Sequence, residues 1–149
     1  MWAMPLLISS VMLDDLQQLA VAAAPEEICG ILFGQNGRVS ARRAAKNVAA
    51  DPVLHFEIDP RTLIAAEREQ RNGGEPILGY YHSHPDGTVE PSTTDAASAA
   101  PDERLWLIVN GQKAAAWQAT EDGDIYGRFS AIPLDCFGAK GQTAAEPES

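Results

Sequence analysis

The run His82-Ser83-His84-Pro85 constrains the fold of this chain more than any other stretch. Successive side chains on a strand point to opposite faces, so His82 and His84 share one face of a strand predicted from Ile77 to Ser83. Pro85 cannot donate a hydrogen bond to a sheet ladder, and a turn signal follows it, so the strand should end near the second histidine. The sequence thus predicts two imidazoles side by side at a strand end.

A predicted helix start supplies a third metal-binding group. Ser92-Thr93-Thr94-Asp95 opens an alanine-rich stretch typical of a short helix, whose first turn carries Asp95 back toward the histidines. Zinc fits two imidazoles and a carboxylate best among common metals, because three protein ligands leave the fourth tetrahedral position to a water. The chain has only three histidines and no cysteine near this cluster. The pattern favours one catalytic Zn2+, held by His82, His84 and Asp95, over a closed structural site.

A purely structural role would also account for part of this pattern. Ser92-x-x-Asp95 is a capping box as well, in which both side chains satisfy free backbone N–H groups at a helix start. Capping accounts for Ser92 and Asp95 but leaves the His-x-His strand unexplained. The third histidine, His55, lies in an irregular segment, and we interpret it as structural or substrate-side rather than as a ligand.

A candidate general base stands at the mouth of another predicted strand. Glu26 and Glu27 directly precede Ile28 to Phe33, an apolar, glycine-punctuated run typical of a buried strand. Hydrolysis at a zinc site needs a group that takes a proton from water and passes it to the leaving nitrogen, and a carboxylate is the usual solution. From composition alone, a solvated turn between a helix and a strand is the favoured alternative for these carboxylates.

Together these segments resemble the JAMM (MPN-plus) metalloprotease family. The family pattern is a glutamate at the start of the first buried strand, then His-x-His-Pro, six residues, Ser, two residues and Asp, and the chain matches it throughout. Gly30 and Gly34 also stand at the family's places, and the distance to Gly30 selects Glu27 over Glu26. The resemblance runs from about Ser9 to Leu134.

The resemblance implies a role for each motif residue. His82, His84 and Asp95 would bind one zinc ion with a water as its fourth ligand, Glu27 would activate that water, and Ser92 would hydrogen-bond the oxyanion. The expected activity is that of a zinc peptidase or isopeptidase. Typical substrates of the family are ubiquitin or ubiquitin-like chains cut after a C-terminal Gly-Gly, and short stand-alone bacterial members are linked to ubiquitin-like sulfur carriers. This chain is similar to that compact kind, so the expected partner is a ubiquitin-like protein or peptide.

The expected fold is a single α/β domain with a mixed central β-sheet flanked by helices, similar to the JAMM fold and more distantly to the cytidine deaminases. Deamination itself is not expected, because the chain lacks a Pro-Cys-x-x-Cys zinc-binding segment. The domain is predicted to span residues 1–137, followed by a disordered tail over 138–149. Besides the strands already given, the sequence predicts strands at Leu6–Ile8, Val39–Ala45, Leu105–Val109, Gln112–Trp117 and from Asp122-Gly123 through Phe129, and helices at Ser10–Ala24 and Arg61–Arg71.

Composition and net charge limit which binding partners and which cellular compartment are expected for this chain. The net charge of −10 and the pI near 4.6 disfavour binding to nucleic acid, which needs clustered basic residues. Two cysteines, Cys29 and Cys136, fit a reducing compartment and are interpreted as packed thiols. The apolar N-terminal stretch lacks the basic residues of a signal peptide, and no apolar run approaches the roughly 20 residues of a membrane helix. We therefore expect a cytoplasmic protein without membrane contact, whose oligomeric state stays open.

Two other functions remain as alternatives. A binding module is the first, because relatives of the JAMM family serve as scaffolds in larger complexes, although these typically lack the ligands that this chain keeps. Kinship to a DNA-repair-associated branch is the second, and the acidic balance argues against it. For the catalytic hypothesis, the irregular segment from Asn47 to Phe56 is expected to form one wall of the substrate groove.

Overall fold

The computed structural model describes residues 4–138. Within them, three helices are interspersed among eight strands, as in an α/β domain. The three helices are α1 (Ser10–Ala23), α2 (Pro60–Arg71) and α3 (Thr93–Ser98). The strands are β1 (Leu6–Ser9), β2 (Cys29–Gln35), β3 (Arg38–Ala45), β4 (Ile77–Ser83), β5 (Leu105–Val109), β6 (Ala114–Gly123), β7 (Gly127–Ile132) and β8 (Leu134–Phe137).

These strands form one sheet in the order β7-β6-β5-β4-β2-β3-β1-β8. Its centre is mixed, because β4 runs antiparallel to β2 and parallel to β5. The sheet therefore confirms the predicted mixed architecture. At the end of β4, His82 lies opposite Cys29 of β2 and Ile108 of β5, so the histidine strand is paired on both edges where the predicted site begins.

The helices cover both faces of the sheet. Leu16 and Ala20 of α1 belong to one buried cluster with Leu32, Tyr81 and Leu107. The neighbouring strand positions point the other way, so Ile31 packs with Ala66 of α2 and Ile108 packs with Ala99 at the end of α3. His82 shares this second face, because it alternates with Tyr81 along β4. The face that carries α2 and α3 is therefore the one on which the site lies.

Each helix begins at a side chain that accepts a backbone hydrogen bond. Ser9 accepts from the N–H of Met12 at the start of α1, and Asp59 accepts from the N–H of Arg61 at the start of α2, where Pro60 occupies the first turn. In the described part of the chain, each of these helices is too short or too polar to cross a bilayer.

The sequence predicts that Val11, Leu13, Leu16, Leu19 and Ala20 of α1 face the core, and this is only partly right. Leu16 and Ala20 are buried as expected, but Val11 is 56% exposed and Leu19 is 42% exposed. Around the helix axis, Leu19 lies to one side of Leu16 and Ala20 and Val11 lies nearly opposite them, so neither side chain reaches the sheet.

The carboxyl-terminal strands also differ from the prediction. Asn110-Gly111, between the predicted strands Leu105–Val109 and Gln112–Trp117, predicts a two-residue hairpin turn. This prediction is wrong, because β6 begins only at Ala114 and the Asn110 side-chain oxygen accepts from the N–H groups of Gln112 and Lys113. Asp122-Gly123 was expected to lead into the next strand, but β6 itself continues to Gly123.

Strand β8 was not predicted. It is a four-residue edge strand that pairs in parallel with β1, and so short a run carries no periodic signal. Of the tail predicted to be disordered over 138–149, residues 139–149 lie outside the described residues.

Candidate metal centre and active site

His82 and His84 point into one site at the carboxyl end of β4. Their side chains share a face because they are two residues apart on the strand. The Nε2 atoms of the two rings lie 3.0 Å apart, and both residues are buried, His82 completely. The predicted pairing of the imidazoles is therefore present.

Asp95 completes a triangle of donor atoms with these imidazoles. Its Oδ2 atom lies 3.2 Å from the Nε2 atom of His82 and 3.2 Å from that of His84. Ligand atoms around a tetrahedral zinc ion, with bonds of about 2.05 Å, lie about 3.3 Å from one another. The observed separations are close to this value, so two imidazole nitrogens and a carboxylate oxygen at this spacing fit one zinc ion.

The capping role of Ser92 and Asp95 is compatible with the ligand role of Asp95. The Ser92 side chain accepts from the Asp95 N–H at 3.0 Å, and Asp95 Oδ2 accepts from the Ser92 N–H at 2.9 Å. The cap therefore fixes the carboxylate at the position where it meets the imidazoles. Because the Ser92 oxygen serves the cap as an acceptor, its O–H group stays available as a donor.

Glu27 is buried beside this triangle, whereas Glu26 is exposed. The exposed fraction of Glu27 is 6%, so the alternative of a solvated turn is wrong for this residue. A carboxylate oxygen of Glu27 lies within 4.8 Å of a ring nitrogen of each histidine. Its Oε1 atom is buried and has no hydrogen-bond partner among the described residues, and Glu27 lines two of the pockets beside the cluster.

The pKa values of the two carboxyl groups in the cluster are shifted in opposite directions. Burial raises the pKa of Glu27 to about 7, and the nearby His84 only partly offsets this effect. Burial also disfavours the charged form of Asp95, but the hydrogen bonds from His82 and His84 outweigh it and hold the pKa of Asp95 well below its usual range. Asp95 is thus suited to binding a cation and Glu27 to exchanging protons near neutral pH.

The pKa values of the two histidines are also shifted in opposite directions. Burial lowers the pKa of His82 below its ordinary value, which favours the neutral imidazole that binds metals. For His84, burial acts in the same direction, but the hydrogen bond and the charge of Asp95 raise its pKa overall.

Different contacts orient the two rings. The Phe56 ring stacks on His82 with centroids 4.2 Å apart, and Trp106 meets His82 edge-on at 5.6 Å. His84 instead uses its second nitrogen, because Nδ1 lies 3.2 Å from the Thr88 hydroxyl, which donates to Asp86 at 3.1 Å. Sequence reasoning missed these orienting residues. No motif marks them, because packing or a short loop brings them to the histidines.

Backbone contacts place Glu27 at the mouth of β2. Ser83 points to the opposite face from the histidines, and its hydroxyl accepts from the N–H of Ile28 at 2.8 Å.

The place of Gly30 after Glu27 is the one part of this arrangement that could be recognised in the sequence. A Cβ atom on Gly30 would lie 2.3 Å from the Tyr81 ring, so the glycine three residues after Glu27 is required by the close approach of Tyr81.

Of the openings beside the cluster in the described residues, two border the histidines or the rings packed on them. A groove of about 620 Å³, here called the large groove, is lined by His55, Phe56, Thr94 and Trp106 among others. A pocket of about 270 Å³, the small pocket, is lined by Leu54, Glu27 and His84 among others. His55 is therefore a wall residue of the large groove, outside the triangle of donor atoms. Ala49, Ala50, His55 and Phe56 of the segment expected to form a wall do line this groove.

Comparisons with known proteins agree with this fold. The family model described as prokaryotic homologs of the JAB domain matches residues 9–121. A protein of Haloferax volcanii named desampylase is 33% identical over 98 residues, which cover 64% of this chain and 70% of that protein. A Thermus thermophilus protein named probable TtuB-protein conjugate cleaving protease is 29% identical over 114 residues, covering 70% of this chain and 76% of that protein.

A solved structure gives the same result at the level of the fold. The solution structure of a protein from Desulfitobacterium hafniense superimposes with a TM-score of 0.70 at 25% sequence identity, covering 86% of this chain and 90% of the other. The matched family model spans both the Glu27 strand and the whole His82 to Asp95 motif. The chain therefore belongs to the family of prokaryotic homologs of the JAB domain, and the resemblance to JAMM (MPN-plus) proteins is confirmed.

Proposed function

We propose that this chain is a zinc-dependent isopeptidase that hydrolyses the amide bond after the C-terminal Gly-Gly of a ubiquitin-like sulfur-carrier protein. The observation that carries the proposal is the triangle formed by His82, His84 and Asp95, with Glu27 buried beside it and its Oε1 atom without a partner among the described residues. The name of the Thermus thermophilus relative describes cleavage of a protein conjugate, which is the class of bond proposed here.

In this proposal His82, His84 and Asp95 hold the ion. When bound there, zinc would polarise the scissile carbonyl and lower the pKa of a water molecule to roughly 7. Glu27 takes the proton from the attacking water, because its carboxylate lies within 4.8 Å of a ring nitrogen of each histidine, next to the place where the ion would be held. The same carboxyl group then donates the proton to the leaving nitrogen, which departs as an amine.

Ser92 has the second catalytic role in the proposal. Its hydroxyl group donates to the carbonyl oxygen of the substrate as negative charge develops there, a contact worth a few kcal/mol when the donor is already in place. The capping box holds Ser92 at the start of α3 without using its O–H group.

The large groove and the small pocket are assigned to opposite sides of the bond that is cut. The large groove contains residues next to Asp95 and those packed on His82, whereas the small pocket contains Glu27 and His84. Since Glu27 protonates the leaving nitrogen, the amine side of the bond is assigned to the small pocket and the Gly-Gly side to the large groove. Glycines suit such a groove because a chain without side chains can approach the backbone closely.

A scaffold function is not favoured by the site. Burying two imidazoles and two carboxylates together costs stability unless the groups are paired or hold a cation. A module that only binds a partner has no need of such a cluster, and residues with perturbed pKa values beside a groove are typical of catalytic sites.

The proposal is tested by cleavage of a defined conjugate. Purified zinc-loaded protein is incubated with a ubiquitin-like sulfur carrier joined through its Gly-Gly carboxyl group to a lysine side chain, with and without a chelator, and the product masses are measured. We expect a carrier that ends in Gly-Gly and a free lysine, with no product in the chelator sample or with Glu27→Gln. Intact conjugate in every sample would refute the proposed activity.

A further inference from the structure

Asn47 lies between β3 and α2, where it opens a segment of residues 47–58 here called the 47–58 loop. Its side-chain amide makes four hydrogen bonds. Nδ2 donates to the carbonyl oxygens of Glu27 at 2.9 Å and His55 at 3.0 Å, and Oδ1 accepts from the N–H groups of Ala49 at 3.0 Å and Glu57 at 3.1 Å. An asparagine amide offers two N–H groups and two lone pairs, so its full capacity is used.

These partners fix the orientation of the amide. Nδ2 faces two carbonyl oxygens and Oδ1 faces two N–H groups. A flipped amide would place acceptor against acceptor at the two carbonyls and donor against donor at the two N–H groups. The bonds to His55 and Glu57 also flank Phe56, the residue whose ring stacks on His82. The 47–58 loop is therefore tied at its start to the part that forms the wall of the large groove.

The backbone of Glu27 is tied to the same loop from both sides. Its N–H donates to the carbonyl of Pro52 at 2.8 Å, and its own carbonyl accepts from Asn47. The Glu27 carboxylate has no such support, since Oε1 lacks a partner among the described residues. The position of the carboxylate thus depends on the backbone that carries it.

We propose that Asn47 is a positioning residue that joins Glu27 to the 47–58 loop, so that the general base and the wall of the large groove form one rigid unit. This inference rests on the proposed function for the role of Glu27 as a base. The three donor atoms of the metal site belong to residues at the end of β4 and on α3, and none of the four hydrogen bonds of the Asn47 amide goes to these residues. Loss of Asn47 should therefore displace the base far more than it loosens the ion.

Two substitutions separate the contacts of Asn47. Asn47→Ala removes all four hydrogen bonds. Asn47→Asp keeps an oxygen facing the N–H groups of Ala49 and Glu57 but sets a second oxygen against the carbonyls of Glu27 and His55. Gln70→Ala is the matched control, because its side-chain amide also binds a backbone group, the N–H of Ile77 at 2.7 Å, at the far end of β4.

The zinc-loaded variants are compared for kcat and KM on the lysine conjugate described above, for zinc affinity by competition with a chelator, and for thermal unfolding. We expect both Asn47 variants to lower kcat by about 10-fold to 100-fold, the effect of misplacing a catalytic group by a fraction of an ångström to about 1 Å. Their zinc affinity should fall by less than kcat does, because the four hydrogen bonds of Asn47 reach no donor residue and act on His82 only through the stacked ring of Phe56. Gln70→Ala should unfold at a lower temperature and keep kcat within about twofold, since its contact lies outside the site.

Either of two results would overturn the inference: a kcat within about twofold of the original protein in Asn47→Asp, or a loss of zinc affinity in step with kcat. A second measurement needs no variant and no substrate. In the unsubstituted protein, the amides of Glu27, Ala49 and Glu57 should exchange with deuterium as slowly as strand amides, and exchange at the rate of an open loop would also overturn it. An unsubstituted protein that cleaves no conjugate but shows this protection would refute the proposed function alone.

Discussion

Glu27 combines deep burial with an ionisable carboxyl group that has no hydrogen-bond partner among the described residues. Such a group destabilises the fold whenever it is charged and unpaired, so its presence at the mouth of β2 opposes stability. Burial raises the pKa of Glu27 from an ordinary value of 4.5 to about 7 in the folded protein. A folded-state pKa above the unfolded value means that stability falls as the pH rises through this interval.

Glu27→Gln should therefore stabilise the metal-free protein at alkaline pH while it abolishes hydrolysis. The advantage over the original protein should grow between about pH 4 and about pH 8 and reach about 3 kcal/mol, because glutamine has no charge to bury. Urea unfolding at several pH values measures this difference. Glu26→Gln is the control, since Glu26 is exposed and its substitution should give no pH-dependent gain. A constant difference between Glu27→Gln and the original protein across this range would contradict the account.

Thr88 offers a second test at a single side chain. Its hydroxyl lies between His84 Nδ1 and the Asp86 carboxylate, so it fixes the ring whose other nitrogen faces the metal site. Thr88→Val should weaken zinc affinity by about 10-fold, the lower end of the range for such outer contacts, because Thr88 is exposed and water can partly replace it. Thr88→Ser keeps the hydroxyl and should bind zinc like the original protein. Equal zinc affinity of the valine variant would show that the contact does not orient His84.

The bounds of β4 and the start of α3 could be predicted, and the reason is local. Strand β4 ends where Pro85 stops the ladder, and α3 begins where Ser92 and Asp95 cap each other. The bounds of β6 and the existence of β8 could not be predicted in the same way. The turn before β6 depends on the Asn110 side chain, which accepts from the N–H groups of Gln112 and Lys113. Strand β8 forms by pairing with β1, which is far from it in sequence.

Strand β2 supplies a test at the scale of elements. Gly30 leaves room for the Tyr81 ring of β4, and a methyl group there would meet that ring at 2.3 Å. Gly30→Ala should therefore push β2 and β4 apart near Glu27 and destabilise the protein by about 1–3 kcal/mol, the usual cost of overpacking. Thermal or urea unfolding measures the loss. Gly73→Ala is a useful comparison because a Cβ atom there meets nothing within 4 Å, although its φ of +92° adds backbone strain. Unchanged stability of Gly30→Ala would contradict the close packing described here.

At the scale of the molecule, the sheet brings together residues that are far apart in sequence. Glu27 just before β2, the two histidines at the end of β4 and Asp95 on α3 meet because β2 and β4 are neighbours and α3 follows β4 directly. These motif residues could be found from their spacing. Asn47, Phe56 and Trp106 could not, since they reach the site through tertiary contacts that leave no short pattern in the sequence.

Removal of zinc tests this assembly as a whole. An ion that binds the folded chain and not the unfolded one stabilises the fold by about 2.7 kcal/mol at a concentration of about 100 times its dissociation constant. A chelator should therefore lower the thermal unfolding temperature, and added zinc should restore it. In His82→Ala the chelator should change nothing, because the donor triangle is broken. A chelator effect of equal size in that variant would place the ion elsewhere.

The central claim is that His82, His84 and Asp95 hold one zinc ion while Glu27 acts beside it. Its most direct test is the zinc content per chain, measured by mass spectrometry of the metal after dialysis, for the original protein and single variants. The account predicts one zinc in the original protein and in Glu27→Gln, and none in His82→Ala, His84→Ala or Asp95→Ala. Zinc retained by the histidine or aspartate variants, or lost only from Glu27→Gln, would contradict it.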